Sequence, residues 1–378
     1  MAEQRKIRIL QTIRQGKVGG GETHVLDLVK ELDKDRFVSV ILSFTDGPMV
    51  DKLKADGFKT YVVHTEKPFN YKVWKDVKEI LIAEKIDLIH AHGTRANSNT
   101  FYPAKQLKIP VVYTVHGWSF HPDQQPVVKL IRTLSERFLV KVASQTICVS
   151  ESNLREGKSK FPMHDSKVIV NGINQIKFNP DQDYKDIRTA FGIVKDEILV
   201  SYIARITAQK EPLTFLNAIA KIPAEVKVKF LIVGDGDLKT QMLELAEKLK
   251  LGSRVIFEDF RDDIPAILNG TDIFCLPSLW EGLPIALLEA MAMRKAIVAT
   301  AIDGTRDLIA DRQNGLLIPV SDPDELAKAI LLLLSDEQLR KTLGQKAGAL
   351  VKADFNIETM TRKVEATYLD VLGSRKIS

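Results

Sequence analysis

The stretch "DIFCLPSLWEGLPIALLEAMAM", residues 272–293, contains a short apolar run, a polar loop and a second apolar run. The first run has the length of a buried strand, and Pro284 suits the first position of a helix, where its missing N–H would be unpaired anyway. Glu289 then lies on the second helical turn among apolar side chains. Burying even a neutral polar group without a partner costs about 2 to 7 kcal/mol, so this carboxylate needs a partner.

The same order of strand, loop and helix recurs on both sides of this stretch. The predicted strands are "KIRILQTI", "VSVILSF", "KTYVVH", "DLIHAH", "PVVYTVH", "QTICVS" and "KVIVNG", then "ILVSYIA", "VKFLIVG", "RVIFE", "DIFCLPS" and "AIVAT". Alternation of this kind is typical of parallel sheets covered by helices on both faces. We predict two doubly wound, Rossmann-like α/β domains facing across a cleft. The polar segment 171–195 is interpreted as the interdomain linker, and a last helix is predicted near 356–372.

The composition is typical of a soluble globular protein. The chain has 378 residues, of which 45% are hydrophobic and 27% are charged, and no stretch approaches the roughly 20 apolar residues that span a bilayer. The start "MAEQRKIRIL" lacks the apolar region of a signal peptide, so a cytoplasmic location is expected. Cys148 and Cys275 lie in strand-like runs, which excludes a Cys-rich metal site and gives no support to a disulfide framework.

Charge is distributed unevenly along the chain. Residues 1–180 carry 28 basic and 19 acidic side chains, a net charge of +9, and the remainder carries −4. A basic half suits a phosphorylated or membrane-surface partner. The segment 126–144 places apolar and basic side chains at helical spacing, with an apolar stripe formed by Val127, Ile131, Leu134, Phe138 and Val142. This helix either packs on the sheet or lies against an anionic membrane surface.

Several candidate residues follow strands of the first half. Gly20 and Gly21 precede a helix that starts near Glu22, where free N–H groups could hold an anion, although a flexible turn would have the same sequence. His92 and His116 each end a strand and precede a glycine. Either histidine could be structural or functional. Zinc is not expected, since no carboxylate or cysteine stands at metal-ligand spacing nearby.

The second half offers groups for a phosphorylated ligand. Arg205 and Lys210 flank a strand-to-helix loop and could neutralise a diphosphate, although both could equally be solvated loop cations. Glu281 lies in a strand-end loop beside the amides of Gly282 and Leu283. Such amides can hold a phosphate while the carboxylate accepts hydrogen bonds from hydroxyl groups.

Glu289 would reach a further pair of hydroxyls or, alternatively, pair with a core cation. Gly234 and Gly236 follow a strand, but Lys239 occupies the place of the third glycine of a dinucleotide fingerprint. These glycines therefore support a dehydrogenase only weakly.

Taken together, these motifs resemble the retaining glycosyltransferases of family 4 (group 1), which have the GT-B fold. The resemblance covers nearly the whole chain and rests on the Gly-Gly-x-Glu loop, the strand–His–Gly elements, "VNGI", Arg205 with Lys210, and "EGLPIALLEA". It implies an acceptor-binding domain at residues 1–175, completed by a C-terminal helix at 356–378, and a nucleotide-sugar-binding domain at 176–355.

The resemblance also implies roles for individual residues. Arg205 and Lys210 would hold the diphosphate of a donor whose nucleotide is most simply UDP or GDP. Glu281, with the amides around Gly282 and Leu283, would bind the transferred sugar.

Further roles implied by the family concern the ribose, the sugar and the base. Glu289 would bind the ribose, His116 would lie beside the sugar, and Gly20 and Gly21 would approach the phosphate. The segment 258–265 would lie along the base. No divalent metal and no nucleic acid is expected. The acceptor would be a sugar or a lipid-linked glycan, and contact with an anionic membrane, on the inner face of the plasma membrane, is a further expectation.

The chain departs from the family pattern at several positions. Where the family commonly has glycine, the chain has Ala204, Glu211, Asp259, Arg294 and Asp303, and Asp307 replaces the more usual glutamate. Negative charges on donor loops could narrow the choice of donor.

The reaction expected from the resemblance is sugar transfer with retained configuration, in which the departing phosphate acts as the base. It would contribute to the synthesis of a cell-surface polysaccharide or glycolipid. The alternatives are a glycoside hydrolase with paired carboxylates, a sugar-nucleotide epimerase of the same fold and a non-catalytic two-lobed sugar-binding protein.

Overall fold

The computed structural model describes residues 5–16, 19–121 and 124–374. The chain divides into two compact units. Unit 1 comprises Met1–Gly172 and Ile357–Ser378, and unit 2 comprises Ile173–Asn356. Each unit contains one parallel sheet covered by helices, as the alternating sequence predicts.

Unit 1 has a seven-stranded sheet of order β3-β2-β1-β4-β5-β6-β7. Its strands are β1 (Ile7–Ile13), β2 (Phe37–Ser43), β3 (Lys59–Val62), β4 (Leu88–His92), β5 (Val111–Val115), β6 (Gln145–Cys148) and β7 (Ser166–Val168). Its first helices are α1 (Gly20–Glu31), α2 (Pro48–Ala55), α3 (Trp74–Ala83), α4 (Thr94–Leu107), α5 (Pro126–Val142) and α6 (Glu151–Lys160). The central strands β4 and β5 are buried throughout, because helices cover both faces.

Unit 2 has a six-stranded sheet of order β10-β9-β8-β11-β12-β13. Its strands are β8 (Ile198–Ile203), β9 (Val228–Val233), β10 (Val255–Glu258), β11 (Ile273–Leu276), β12 (Ala296–Thr300) and β13 (Leu316–Ile318). Its helices are α7 (Ile187–Ala190), α8 (Pro212–Ala220), α9 (Lys239–Lys248), α10 (Ile264–Gly270), α11 (Ile285–Ala292), α12 (Asp303–Arg306), α13 (Pro323–Ser335) and α14 (Glu337–Asp354). Strand β13 was not expected from the sequence, because its three residues are too few for a period to be recognised.

The last helix, α15 (Ile357–Gly373), belongs to unit 1, which confirms the predicted return of the C-terminal helix. Its buried side chains Met360, Val364 and Tyr368 form one core cluster with Ile9 and Leu88 of the sheet. Unit 1 is therefore built from two segments that are far apart in the chain.

The segment 171–195, predicted as the interdomain linker, contains the boundary between the units, but most of it packs on unit 2. Ile187 and Ile193 are buried, and the Arg188 guanidinium donates to Gly270 O and to Asp272 Oδ2, both at 3.0 Å. The few apolar residues of the segment therefore anchor it to unit 2, and only its beginning lies at the boundary between the units.

In each sheet the strand order reverses at one place, between β1 and β4 in unit 1 and between β8 and β11 in unit 2. Ligands of doubly wound sheets bind beyond the carboxyl ends of the strands at such a point. The loops after these four strands contain most of the residues predicted to form the site. Among the described residues, no helix combines the length and the apolar composition needed to cross a bilayer.

Candidate functional site

Two glycines of unit 2 support the loop after β8. Gly234 has a φ of +150°, and a Cβ there would overlap the carbonyl oxygen of Ala204. A Cβ on Gly236 would overlap the carbonyl oxygen of Ile206. These glycines therefore allow close backbone packing beneath the loop that carries Arg205, which explains their presence without a dinucleotide fingerprint.

The loops after β8 and β11 bring two predicted site residues into contact. Lys210 Nζ donates a hydrogen bond to Glu281 Oε1, and the two side chains are 14% and 7% exposed. The loop backbones are also joined, since Leu279 N donates to Gln209 O and Gln209 Nε2 donates to Trp280 O, both at 2.8 Å. The strand order, in which β8 and β11 are neighbours, accounts for this contact.

Arg205 lies on the same loop and is half-buried. In the part of the chain that the structure describes, its guanidinium has no hydrogen-bond or ion-pair partner, whereas the charge of Lys210 is balanced by Glu281. Below the loop, the Tyr202 hydroxyl donates to Lys210 O at 3.1 Å. Burial, and then the charge of Glu281, raises the pKa of Tyr202 well above its usual value, so this hydroxyl stays protonated.

Helix α11 places Glu289 on its second turn, and this side chain is buried. The helix begins at Ile285, and Pro284 is its N-cap, so the predicted helix start is wrong by one residue. The reason is the extended ψ of 113° at Pro284. Gly282 and Leu283 lie in the loop between Glu281 and this helix.

The start of α12 approaches the backbone of the Glu281 loop. A Cβ on Gly304 would lie 2.6 Å from Glu281 O and 2.7 Å from Gly282 O, so only glycine allows this contact. Asp303 is the first residue of α12 and is exposed. Asp303, one of the two aspartates that replace a glycine of the family, therefore stands beside the Glu281 loop.

The segment 258–265 has most of its charges paired. Asp259 forms an ion pair with Lys239, and Arg261 forms ion pairs with Asp263 at 2.7 Å and with Glu258 at 3.0 Å. Asp259 is the other aspartate that replaces a glycine of the family, and its charge is balanced by Lys239. This pairing reduces its expected effect on a bound anion.

In unit 1, three histidines gather at the carboxyl ends of β4 and β5. The ring centroids of His24 and His116 are 4.8 Å apart, and those of His92 and His116 are 5.4 Å apart. His92 Nδ1 lies 3.1 Å from His116 Nε2. A Cβ on Gly21 would lie 3.5 Å from His116 Cδ2, so the glycine loop packs against this ring, and Gly20 is the exposed first residue of α1.

Burial keeps these imidazoles neutral. It lowers the pKa of His24 to about 4, against a smaller opposing effect of a hydrogen bond with Asn171. It also lowers the pKa values of His90, His92 and His116 well below the usual value, and neighbouring positive charge lowers them further. All four rings are therefore neutral at neutral pH, each with one protonated and one unprotonated nitrogen.

Ring nitrogens of His24, His92 and His116 lie within 4.8 Å of one another, so the three could hold a transition-metal ion. His24 was missed in the sequence, because it lies on α1 and shares no local motif with the other two. The only local signal was its place on the helix that follows the glycine loop. The expectation of a site without metal stays a prediction.

Helix α5 exposes its apolar stripe. Val127, Ile131 and Leu134 are 69%, 59% and 54% exposed, and Leu130, Phe138 and Val142 are also exposed. We call these six residues the α5 outer face. The side chains that α5 buries are instead Glu136, Leu139 and Val140.

The buried carboxylate of Glu136 fixes this orientation of α5. It accepts hydrogen bonds from Thr94 Oγ1 at 2.7 Å, from Tyr113 Oη at 2.8 Å and from Ser119 N at 3.2 Å. The helix therefore packs on the sheet as predicted, but through Leu139 and Val140, while the predicted stripe stays exposed. The other expectation, a stripe open to a membrane surface, stays a prediction.

Two family models match the chain. The model described as "Glycosyltransferase Family 4" matches residues 18–175, and the model described as "Glycosyl transferases group 1" matches residues 183–349. Two parallel doubly wound sheets with these loops define a glycosyltransferase of the GT-B class.

Named relatives agree with this class. The chain is 30% identical to the N,N'-diacetylbacillosaminyl-diphospho-undecaprenol alpha-1,3-N-acetylgalactosaminyltransferase of Campylobacter jejuni, over 85% of this chain and 88% of that protein. It is 28% identical to the UDP-Gal:alpha-D-GlcNAc-diphosphoundecaprenol alpha-1,3-galactosyltransferase of Escherichia coli, over 98% of both chains. The crystal structure of Anabaena Alr3699/HepE in complex with UDP and glucose superimposes with a TM-score of 0.84 at 23% identity, covering 96% of this chain and 99% of that chain.

The chain thus belongs to glycosyltransferase family 4, group 1, and it is an enzyme that transfers a sugar. The predicted family, GT-B fold and enzyme class are confirmed.

Proposed function

We propose that the enzyme transfers a sugar from a UDP-sugar to a hydroxyl of a lipid-diphosphate-linked glycan during cell-surface polysaccharide synthesis. The contact between Lys210 and Glu281 carries the proposal, because it brings a cation, which suits a diphosphate, and a carboxylate, which suits sugar hydroxyls, together beyond β8 and β11. The names of the Escherichia coli and Campylobacter jejuni relatives support the lipid-linked acceptor. Of the two nucleotides expected, only UDP has support from the named relatives and solved structures.

Arg205 and Lys210 are assigned to the donor diphosphate. In this assignment, the incoming phosphate takes the place of Glu281 as the partner of the Lys210 ammonium, and the released carboxylate accepts hydrogen bonds from sugar hydroxyls. The amides of Gly282 and Leu283 bind the same sugar. Cations fixed before the reaction stabilise the charge that develops on the leaving diphosphate.

Glu289 is assigned to the ribose hydroxyls. Gly20 and Gly21 are assigned to the donor phosphate, and His116 to the transferred sugar. The bond between the anomeric carbon and the diphosphate oxygen breaks as the acceptor oxygen bonds to that carbon from the same face. The acceptor proton passes to the departing phosphate, so the configuration is retained and no side chain acts as a covalent nucleophile.

Binding of UDP-, GDP- and ADP-sugars, measured by calorimetry, tests the donor site. We expect one UDP-sugar to bind to the wild type and to lose binding in Lys210→Ala and Glu289→Ala. Lys221→Ala is the matched control, since Lys221 forms an exposed ion pair with Asp324 in the same unit. Binding of no UDP-sugar to the wild type would contradict the proposal.

Product analysis separates the remaining alternatives. Transfer releases UDP and extends a lipid-diphosphate acceptor, whereas an epimerase would convert the sugar nucleotide with no acceptor added. A hydrolase would release a free sugar without forming UDP, and a binding protein would give no product. Release of UDP only when the acceptor is present is the expected result.

We also propose that the α5 outer face docks on the anionic inner face of the plasma membrane. The face is apolar and exposed, and Lys129, Arg132, Arg137 and Lys141 on the same helix would contact acidic headgroups. The net charge of +9 on residues 1–180 acts in the same direction.

Flotation with vesicles that contain anionic lipid tests this docking. We expect binding that weakens in high salt and is lost in Ile131→Ser/Leu134→Ser. Ile82→Ser is the matched control, because Ile82 is an equally exposed apolar residue on α3 of the same unit. Equal flotation of all three proteins would exclude the α5 outer face as the docking surface.

A further inference from the structure

A chain of hydrogen bonds runs through the core of unit 1 from α15 to His116. Tyr368 Oη lies 3.1 Å from Gln11 Nε2, Gln11 Oε1 lies 3.0 Å from His92 Nε2, and His92 Nδ1 lies 3.1 Å from His116 Nε2. A branch extends from Tyr368 Oη to His90 Nδ1 at 2.6 Å. The residues of this hydrogen-bond chain come from β1, β4, α15 and the end of β5.

The orientation of the Gln11 amide fixes every proton of this chain. Its carbonyl oxygen can only accept, so the proton of neutral His92 lies on Nε2 and its Nδ1 carries a lone pair. That lone pair must accept from His116, so the proton of His116 lies on Nε2. Nδ1 of His116 is then a hydrogen-bond acceptor.

The protons at the other end of this hydrogen-bond chain follow from the same orientation of the Gln11 amide. The Gln11 amide group donates to Tyr368 Oη, so the Tyr368 hydroxyl proton goes to His90 Nδ1. His90 then carries its proton on Nε2 and donates to Thr114 Oγ1 at 2.7 Å. Turning the Gln11 amide around would reverse all of these protons together and would make Nδ1 of His116 a donor.

We propose that Gln11 and His92 are positioning residues that keep the proton of His116 on Nε2, with Tyr368 of α15 securing Gln11. Within the described ranges, no group hydrogen-bonds Nδ1 of His116, so the protein leaves the lone pair of this nitrogen unused. Its lone pair accepts a hydrogen bond from a hydroxyl of the donor sugar. This last step rests on the proposed function, in which His116 contacts that sugar.

Nitrogen NMR of the full-length protein, labelled with ¹⁵N-histidine, tests the position of the His116 ring proton, because protonated and unprotonated ring nitrogens differ in chemical shift. In the wild type we expect His116 to be protonated at Nε2 and unprotonated at Nδ1. In Gln11→Met, which keeps side-chain length and removes both amide contacts, a mixture of the two tautomers should appear. Protonation of Nδ1 in the wild type, or no change in Gln11→Met, would overturn the proposal.

A matched pair of substitutions distinguishes a specific effect on His116 from a general loss of structure. Tyr368→Phe and Tyr113→Phe each remove one buried hydroxyl of unit 1. The Tyr113 hydroxyl donates to Glu136 and is not part of the hydrogen-bond chain that reaches His116. We expect the His116 tautomers to mix in Tyr368→Phe and to stay unchanged in Tyr113→Phe. Equal changes in both variants would also contradict the proposal.

Steady-state kinetics test whether catalysis depends on the position of the His116 proton. Gln11→Met should lower kcat about tenfold and leave KM for the UDP-sugar within about twofold, since a positioned group acts mainly in the transition state. Mixed tautomers with unchanged kcat would overturn the catalytic part of the proposal. If no UDP-sugar is turned over although the tautomers respond as expected, the proposed function fails while the proton arrangement stands.

Discussion

The buried contact between Lys210 and Glu281 predicts how unit 2 responds to substitution. Lys210→Ala leaves a buried carboxylate without its cation, and breaking such a pair typically costs about 3 kcal/mol or more. Lys210→Ala/Glu281→Ala should lose less, because no unpaired carboxylate remains. Urea unfolding of the two variants measures both effects, and a Lys210→Ala variant as stable as the exposed control Lys221→Ala would contradict this account.

Glu211 stands at a position where the family commonly has glycine, and its φ is +54°. The left-handed conformation costs a non-glycine residue about 1–2 kcal/mol, and glycine loses about 0.5–1 kcal/mol through backbone entropy. We therefore expect Glu211→Gly to raise the free energy of unfolding by about 0.5 kcal/mol. Glu225→Gly should lower it, since Glu225 is exposed and lies outside the left-handed region. Thermal melting distinguishes the two directions, and equal losses in both would show that Glu211 is not strained.

For single residues, the sequence predicted the position relative to a strand better than the side chain that each residue contacts. His92 was predicted correctly to end a strand. The same holds for the positions after strands of His116, Arg205 and Glu281, because a strand end can be recognised in a short window. The contact of Glu281 with Lys210 could not be predicted, since it depends on which strands are neighbours. Contacts of this kind need the strand order, which local patterns do not contain.

Gln11 shows the same limit within an element. It is one of three polar residues in strand β1, and nothing nearby in the sequence indicates that it faces His92. Helix α5 shows the converse: the spacing predicted a helix and an apolar stripe, but not which face is buried. That choice depends on Glu136, whose three hydrogen-bond donors come from elsewhere in unit 1.

Helix α15 should contribute substantially to the stability of unit 1. Met360 is buried in the cluster that α15 forms with the sheet, and truncating such a side chain to alanine usually costs about 2–5 kcal/mol. Lys363→Ala, at an exposed position of the same helix, should change stability by less than about 0.5 kcal/mol. Urea unfolding of the two variants checks the difference, and similar values would mean that α15 is only loosely attached.

At the scale of the whole molecule, the seven histidines are unevenly placed, because all of them lie in unit 1. Burial lowers the pKa of four of them, His24, His90, His92 and His116, below the unfolded value of 6.5. Their contribution to stability is fully present above pH 6.5. It is lost as the pH falls from 6.5 towards 4, at about 1.4 kcal/mol per pH unit for each group, because the unfolded state binds the protons. Unit 1 should therefore be the acid-sensitive unit.

Each unit contains one buried cysteine, which allows this prediction to be measured. Cys148 reports on unit 1 and Cys275 on unit 2. A disulfide reagent that reacts in acid, applied in increasing urea at pH 7.5 and at pH 5.5, gives the concentration at which each thiol becomes accessible. We expect the value for Cys148 to fall strongly at pH 5.5 and that for Cys275 to change little. Equal changes at both thiols would contradict the prediction.

The construction of unit 1 from two distant segments has a consequence for synthesis on the ribosome. Domains are usually completed in the order in which they leave the exit tunnel. Here the strands of unit 1 emerge first, but the face formed by Ile9 and Leu88 waits for α15, which emerges only after all of unit 2. The nascent chain therefore carries an uncovered apolar sheet face while more than half of its residues are being translated, and a chaperone that binds such faces has its longest opportunity there.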